Sequence, residues 1–347
     1  MFWTFITEIA SYGLISLLVS VSLFYPVKQL AKHFNLVDVP DQRKIHKKPT
    51  PRIGGIMIFA SFILVYLVAR KYTTIMPTTG FNKVWVLVAL VSAFGLGLAD
   101  DVKNIRAYQK LFIQVLIGLT VAYSGLRIQN ITILGHQIQF GFFSYVITAS
   151  WVVALLNAVN LIDGMDGLAA GILIIVMSFT FVIGIIESNF FVSLISGILL
   201  GSLVGFYIFN FPPAKIFMGD GGSYFLGCMY AVISLMGMKK TSMAIMMAVP
   251  LVLLFLPVAD ITYITFRRIK KKESIFKADK NHIHHRLLSL GLSARQIIAL
   301  TYLVCISFGL IGVLIALTGG QYGLIFFLLI MCLVMAGFWA IRILEKR

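Results

Sequence analysis

The chain has 347 residues, 59% of them apolar and 12% charged, with a mean hydropathy of +0.95 and a formal net charge of +16. A soluble domain carries about 25% charged residues, so this chain cannot cover a water-facing surface and its solvent must be lipid. The 28 Phe exclude a disordered chain, and the 3 Cys, all in apolar runs, exclude a disulfide scaffold.

A spanning helix needs about 20 apolar residues. On that ruler the sequence predicts an all-α polytopic membrane protein of about eleven spans, near 6–26, 53–69, 84–99, 111–126, 143–159, 169–186, 190–209, 223–238, 242–265, 297–317 and 321–341. No Lys or Arg precedes the first span, whereas Lys28, Lys32, Arg43, Lys44, Lys47, Lys48 and Arg52 follow it. A cleaved signal peptide has the reverse order, so the first span is expected to be retained. The positive-inside rule then sets the N-terminus outside and the C-terminus in the cytoplasm. Cytoplasmic segments are expected at 27–52, 100–110, 160–168, 210–222, 266–296 and 342–347, and they hold 23 of the 29 Lys and Arg. The basic excess is therefore a topology signal and a match to anionic lipid, not a nucleic-acid footprint. A small hairpin is expected in the external stretch 127–142, with Gly135 at its turn. No repeat or low-complexity tract divides the chain, so residues 1–347 read as a single transmembrane domain.

Five of the 13 acidic residues fall in short cytoplasmic connections: Asp100 and Asp101 (LADDVKN), Asp163 and Asp166 (NAVNLIDGMDGLAAG), and Asp220 (FMGDGGS). Carboxylates at a lipid boundary are costly unless paired, hydrated or bound to a cation. An oxygen-rich, sulfur-free set suits Mg²⁺, which takes one or two carboxylates plus substrate phosphates. Asp100-Asp101 reads either as a solvated helix end beside Lys103 and Arg106, or as a like-charge pair of which one member accepts a proton. Asn157, Asn160 and Asp163, spaced by three, share one helix face, with Gly164 expected to end that helix and Asp166 on a tight loop. Asp220 reads as a turn and N-cap, or as a carboxylate beside free N–H groups that suits a cation–phosphate pair. Asp260, inside a predicted span, is a functional candidate whose ordinary alternative is an ion pair with Arg267.

His282, His284 and His285 (KADKNHIHHRLLSLGLS) lack a Cys or Glu at zinc spacing. With Lys277, Lys280 and Arg286 they form a donor-rich loop suited to a diphosphate. The segment HKKPTPRIGG places Lys47, Lys48 and Arg52 at the mouth of the second span, where two prolines and a Gly pair suggest a shaped loop.

Five motifs follow in this order, RKIHKKPTPRIGG, LADDVKN, NAVNLIDGMDGLAAG, FMGDGGSYFLG and NHIHHRLLSLGLS, and the resemblance they carry spans roughly residues 27–295. The chain thereby resembles the polyprenyl-phosphate N-acetylhexosamine-1-phosphate transferases, which start teichoic acid and O-antigen assembly. The related phospho-MurNAc-pentapeptide transferases carry three consecutive histidines in the last motif. His282-Ile283-His284-His285 departs from that pattern and favours the UDP-N-acetylglucosamine branch. The resemblance implies transfer of a sugar 1-phosphate from a UDP-sugar to undecaprenyl or another polyprenyl phosphate at the cytoplasmic face of the plasma membrane, with Mg²⁺ or Mn²⁺. It implies Asp220 and Asn160 as metal contacts, and Asp100 as base or orienting group with Asp101 beside it. Asp163 would support the metal or phosphates, and Asp166 the nucleotide. His282, His284, His285 and Arg286 would hold the diphosphate or sugar, and Asn157, His46 and Arg52 complete the substrate-binding set.

Two rivals belong to other classes. An ion-coupled transporter would place its ionisable groups near the bilayer midplane, whereas these gather at one face. A lipid-binding scaffold leaves five aspartates unexplained. The sequence does not fix the sugar or the prenyl length, and leaves monomer and homodimer both open.

Overall fold

Ten helices and two short hairpins carry the part of the chain that the computed structural model describes, residues 2–38, 49–73, 75, 80–133, 136–237, 293–318 and 325. In order these are α1 (Phe2–Ser22), α2 (Phe24–His33), β1 (Val37–Asp38), β2 (Thr50–Pro51), α3 (Gly55–Tyr72), α4 (Lys83–Lys103) and α5 (Ala107–Tyr123). They continue with β3 (Asn130–Ile133), β4 (His136–Gln139), α6 (Phe143–Ile162), α7 (Leu168–Ile186), α8 (Phe190–Asn210), α9 (Gly219–Gly237) and α10 (Ala294–Leu317). Among the described residues, seven helical stretches are long and apolar enough to cross a membrane: α1 running on into α2, α3, α4, α6, α7, α8 and α10. The chain is an all-helical, multi-pass membrane protein. The predicted spans 242–265 and, apart from residue 325, 321–341 lie outside the described residues.

The first eight predicted spans and the tenth, 297–317, are each occupied by a helix, but several boundaries differ. The first helix does not stop at 26; after a break at Leu23 it runs on to His33, so Lys28 and Lys32 sit on a helix. Pro26 is tolerated there because it falls in the first turn of α2, where its missing N–H has no helical acceptor to lose. The helix expected to end at 99 reaches Lys103, and Asn104, in the left-handed region at φ 48°, stops it. Asp100 and Asp101 therefore belong to a last helical turn, not to a loop. Helix α6 ends at Ile162, two residues before Gly164, with Asp163 as its C-cap; the positive φ of this connection falls at Gly167 (74°). The hairpin expected in 127–142 is present as antiparallel β3–β4, with Ile133 paired to His136; Gly135 lies outside the described residues.

Helix α9 is the hub, packed by α3, α4, α6 and α8. Residues Gly221–Leu235 are buried without interruption. Such a helix faces protein on all sides, so its sequence can carry Gly, Ser and Tyr where a lipid-facing helix needs Leu and Ile. Trp151 donates from its indole N–H to Ser234 Oγ (3.0 Å), tying α6 to it. On the flank, α1 meets α8 through Gly13, Gly197 and Gly201. Ser16 and Ser202 hydroxyls lie 2.6 Å apart at the same contact. Small residues let the backbones close, which is how helices associate where no hydrophobic force separates protein from lipid.

The starts of α3 and α9 are locked together. Gly54 N–H donates to Phe217 O (2.8 Å), Gly55 N–H to Met218 O (2.7 Å), and Phe217 N–H to Pro51 O (2.7 Å). A Cβ on Gly55 would strike the backbone of Gly222, so only glycine permits this approach. The pairing brings the two helix starts to one end of the bundle, where α4 and α6 end and α5 and α7 begin.

Candidate active site

Every acidic residue singled out from 100 to 220 converges at that end. Asp101, in the last turn of α4, is buried, and its carboxylate accepts from Asp220 N–H and Gly221 N–H, both at 3.0 Å. It caps the start of α9 from another helix, satisfying two of the donors a helix N-terminus leaves free. Arg52 completes its shell at 3.3 Å from Oδ1. Gly219, at φ 74°, has no room for a Cβ between Arg52 O and this carboxylate.

Asp100 is also buried and points to other partners. Oδ2 accepts from Lys110 Nζ at 2.7 Å and Oδ1 from Ile105 N–H at 2.8 Å. Its carboxyl is in hydrogen-bonding contact with that of Asp220. Asn160 Nδ2 donates to Asp220 Oδ1 at 2.7 Å and to Ser223 Oγ at 3.1 Å. Burial first, then the Asp100 contact, then the charge of Asp101 push the Asp220 carboxyl up to about 7. Asp163, half-buried after α6, is pushed well above the usual carboxylate range by burial and by Asp220, Asp101 and Asp166. It has no side-chain hydrogen bond among the described residues.

Asp166 lies across the site on the α6–α7 connection. Its Oδ2 accepts from Ala214 N–H at 3.0 Å. Gly167 N–H donates to Asn210 Oδ1 (3.0 Å), whose Nδ2 donates to Ile216 O (2.8 Å). Asn157 does not face the acids. Its amide pairs with that of Gln114 on α5, Asn157 Nδ2 donating to Gln114 Oε1 at 2.8 Å, and it also donates to Val153 O at 2.8 Å. Gln114 reaches the Tyr224 hydroxyl as well. His46, His282, His284, His285 and Arg286, with Asp260, lie outside the described residues.

Lys110, Gln114, Ser223, Tyr224 and Asn210 are site residues that the sequence reading passed over. Lys110 was absorbed into the count of topology cations. Gln114 had a legible signal, since a lone amide in the apolar run LFIQVLIGL demands a polar partner.

Of the five carboxyls only two are ion-paired among the described residues, Asp100 with Lys110 and Asp101 with Arg52, so the carboxyl cluster itself is short of positive charge. Two carboxyls in contact must share a proton or a cation. Among the described residues no group of three or more His, Cys, Asp or Glu forms a ligand cage. Mg²⁺ keeps several waters and binds through one or two carboxylates plus phosphates. Asp220 and Asn160, with Asp100 alongside, are the oxygen donors that suit it.

With a cation bound, the arrangement could take up phosphate groups, and comparison with known proteins gives the family. Residues 83–238 match the model of glycosyl transferase family 4. That stretch holds α4 to α9, and with them all five carboxyls. The "probable undecaprenyl-phosphate N-acetylglucosaminyl 1-phosphate transferase" of Bacillus subtilis is 35% identical over 84% of this chain and 80% of its own length. A decaprenyl-phosphate N-acetylglucosaminephosphotransferase of Mycobacterium tuberculosis is 32% identical over 85% and 80%. A phospho-N-acetylmuramoyl-pentapeptide-transferase of Streptococcus pyogenes is 30% identical over 85% and 91%. The chain belongs to glycosyl transferase family 4, the polyprenyl-phosphate N-acetylhexosamine-1-phosphate transferases.

Proposed function

We propose that this chain transfers N-acetylglucosamine 1-phosphate from UDP-N-acetylglucosamine to a polyprenyl phosphate, the first membrane step of a cell-envelope polymer. One observation carries the reading: carboxyls from the ends of α4 and α6 and the starts of α7 and α9 gather at one end of a membrane bundle, with Asp100 touching Asp220. An acceptor phosphate sits at the membrane surface while its tail stays in lipid, so helix ends are where the reaction can occur. The charge distribution of the sequence favours about eleven spans, an outside N-terminus and this end in the cytoplasm.

In the reaction a non-bridging oxygen of the acceptor phosphate attacks the sugar-bearing phosphorus of the donor. The bond from that phosphorus to the bridging oxygen breaks, and UMP leaves with that oxygen. Phosphoryl transfer between two anions needs positioning and charge neutralisation more than covalent help. Asp220 and Asn160 would hold Mg²⁺, which would supply neutralisation of the diphosphate. Asp100, fixed by Lys110 and Ile105 N–H, orients the acceptor phosphate and takes its proton when it arrives as the monoanion; the dianion, dominant near pH 7, has none to give. Asp101 and Arg52 hold the start of α9 so that Asp220 faces the phosphates. Asp163 supports the metal or phosphates. Asp166, with one oxygen on Ala214 N–H, turns the other to the nucleotide. His46, His282, His284, His285 and Arg286 are assigned to substrate from the motifs alone. Asn157 acts through its amide pair by shaping the α5–α6 wall.

The test uses the purified full chain, undecaprenyl phosphate and a panel of UDP-sugars, each with Mg²⁺, with Mn²⁺ or with EDTA. Label from UDP-N-acetylglucosamine should enter lipid with either metal and not in EDTA. Transfer only from UDP-MurNAc-pentapeptide would replace this reading with the activity named for the Streptococcus relative. No transfer from any donor would remove it.

A further inference from the structure

The loop from Asp163 to Gly167 carries two of the five acids, and three long-range hydrogen bonds fix it. Two come from the end of α8 and the α8–α9 connection, through Asn210 and Ala214. The third comes from far along the chain: Tyr302 on α10 donates its hydroxyl to Gly167 O at 2.7 Å. That carbonyl also accepts Gly171 N–H at 2.9 Å, so Tyr302 occupies its remaining lone pair. The Tyr207 and Tyr302 hydroxyls are 3.1 Å apart. Since the Tyr302 proton goes to Gly167, Tyr207 is the donor between them, and a chain runs Tyr207 to Tyr302 to Gly167. Such chains strengthen each link in a low-dielectric interior. The ring is placed as firmly as the hydroxyl. It lies on α7 at Gly171, where any Cβ would strike it, and Gly309 leaves the matching space for Phe179 two turns along α10.

A tyrosine so placed does more than pack, because an α10–α7 contact needs only the ring. We infer that Tyr302 is a positioning residue that sets the Asp163–Asp166 loop for the nucleotide donor, acting through Gly167 and touching no substrate itself. The inference rests on the proposed donor role of Asp166. It assigns to α10 a part in donor binding that the acidic motifs do not contain. Tyr207 supports it at one remove.

The experiment compares the full chain with Tyr302→Phe, which keeps the ring, and with Tyr207→Phe. Loss of one such bond, worth about 1 kcal/mol, should speed amide exchange in a peptide covering 163–171 roughly fivefold, while peptides covering 219–226 stay unchanged. The KM for UDP-N-acetylglucosamine should rise roughly fivefold in Tyr302→Phe, with kcat and the acceptor KM within about twofold. Tyr207→Phe should move the same quantities less, and the double variant should be no worse than Tyr302→Phe alone. Unchanged exchange at 163–171 overturns the inference, as does faster exchange with an unchanged donor KM. A uniform rise in both KM values with a fall in kcat overturns it too, since that is the mark of general loosening. If the wild-type chain transfers nothing from UDP-N-acetylglucosamine, the proposed function falls separately. The exchange data and the protection of 163–171 by added UDP, weaker in Tyr302→Phe if the inference holds and equal if it fails, then decide the positioning role.

Discussion

Two carboxyls in contact cannot both stay ionised without something between them, and at this site the protein assigns the pair unequal surroundings. Asp100 has Lys110 and a backbone N–H to support its charge, whereas Asp220 has one amide donor and a carboxyl pushed up to about 7. Asp220 is therefore the member whose ionisation waits for a cation. Asp220→Asn and Asp100→Asn should each lower kcat at least about a hundredfold while helix content by circular dichroism is unchanged. Turnover within tenfold of wild type in either variant would take that residue out of the reaction.

Asp163 makes the opposite statement about stability. Its folded pKa is raised, so its ionised form opposes folding: stability present below about pH 4, the unfolded value, is lost as pH rises toward the folded one. In EDTA at pH 8, Asp163→Asn should melt at least about 2 °C above wild type, and the gain should shrink toward pH 4. A variant that melts lower would mean that Asp163 has a supporting partner.

One carboxylate joins two elements. Asp101 on α4 is the N-cap of α9, and α9 presents Asp220. Asp101→Ala leaves two N–H groups unpaired beside Arg52, at about 1–3 kcal/mol each where buried. Melting should drop by several degrees, and turnover should fall as Asp220 loses its aim. Asp101→Glu, one methylene longer, should recover part of the melting temperature and little of the turnover. Equal recovery of both would deny the coupling.

This division of labour also marks what the sequence could tell. Apart from the run-on of α1 into α2, hydropathy found the described helices within a few residues, because spans are set by bilayer thickness, a constraint that any 20-residue window senses. The adjacent Asp100 and Asp101 looked like one feature. Consecutive residues on a helix point about 100° apart, so one faces Lys110 and its neighbour faces α9. Which partner each would meet depends on helix packing, and nothing local encodes that. Asn157 depends on packing in the same way: it is spaced by three from Asn160, but Gln114 opposite takes the first amide while Asp220 takes the second.

On the scale of the whole molecule, function requires that connections scattered from residue 52 to residue 220 share one aqueous compartment. The helix starts at α3 and α9 are paired backbone to backbone, and α4 and α6 end beside them, so Lys103, Asp163 and Lys215 lie at one end of the bundle. The β3–β4 hairpin, with His136–Gln139 exposed, lies beyond the other ends of α5 and α6. In the proposed topology, where the Lys- and Arg-rich segments 27–52 and 266–296 share a side with the acids, that end is inside and the hairpin outside. Among the described cysteines, Cys228 and Cys305 are buried and should stay silent. After Cys332→Ser, single Lys103→Cys, Lys215→Cys and His136→Cys variants can be treated in intact cells with a membrane-impermeant maleimide. Only the His136→Cys variant should label; the other two should react after the membrane is opened. Labelling of Lys103→Cys and Lys215→Cys from outside would invert the protein and strand its acids away from a cytoplasmic nucleotide. Labelling of one without the other would separate α4 from α9 and break the contact between Asp100 and Asp220 on which the catalytic reading stands.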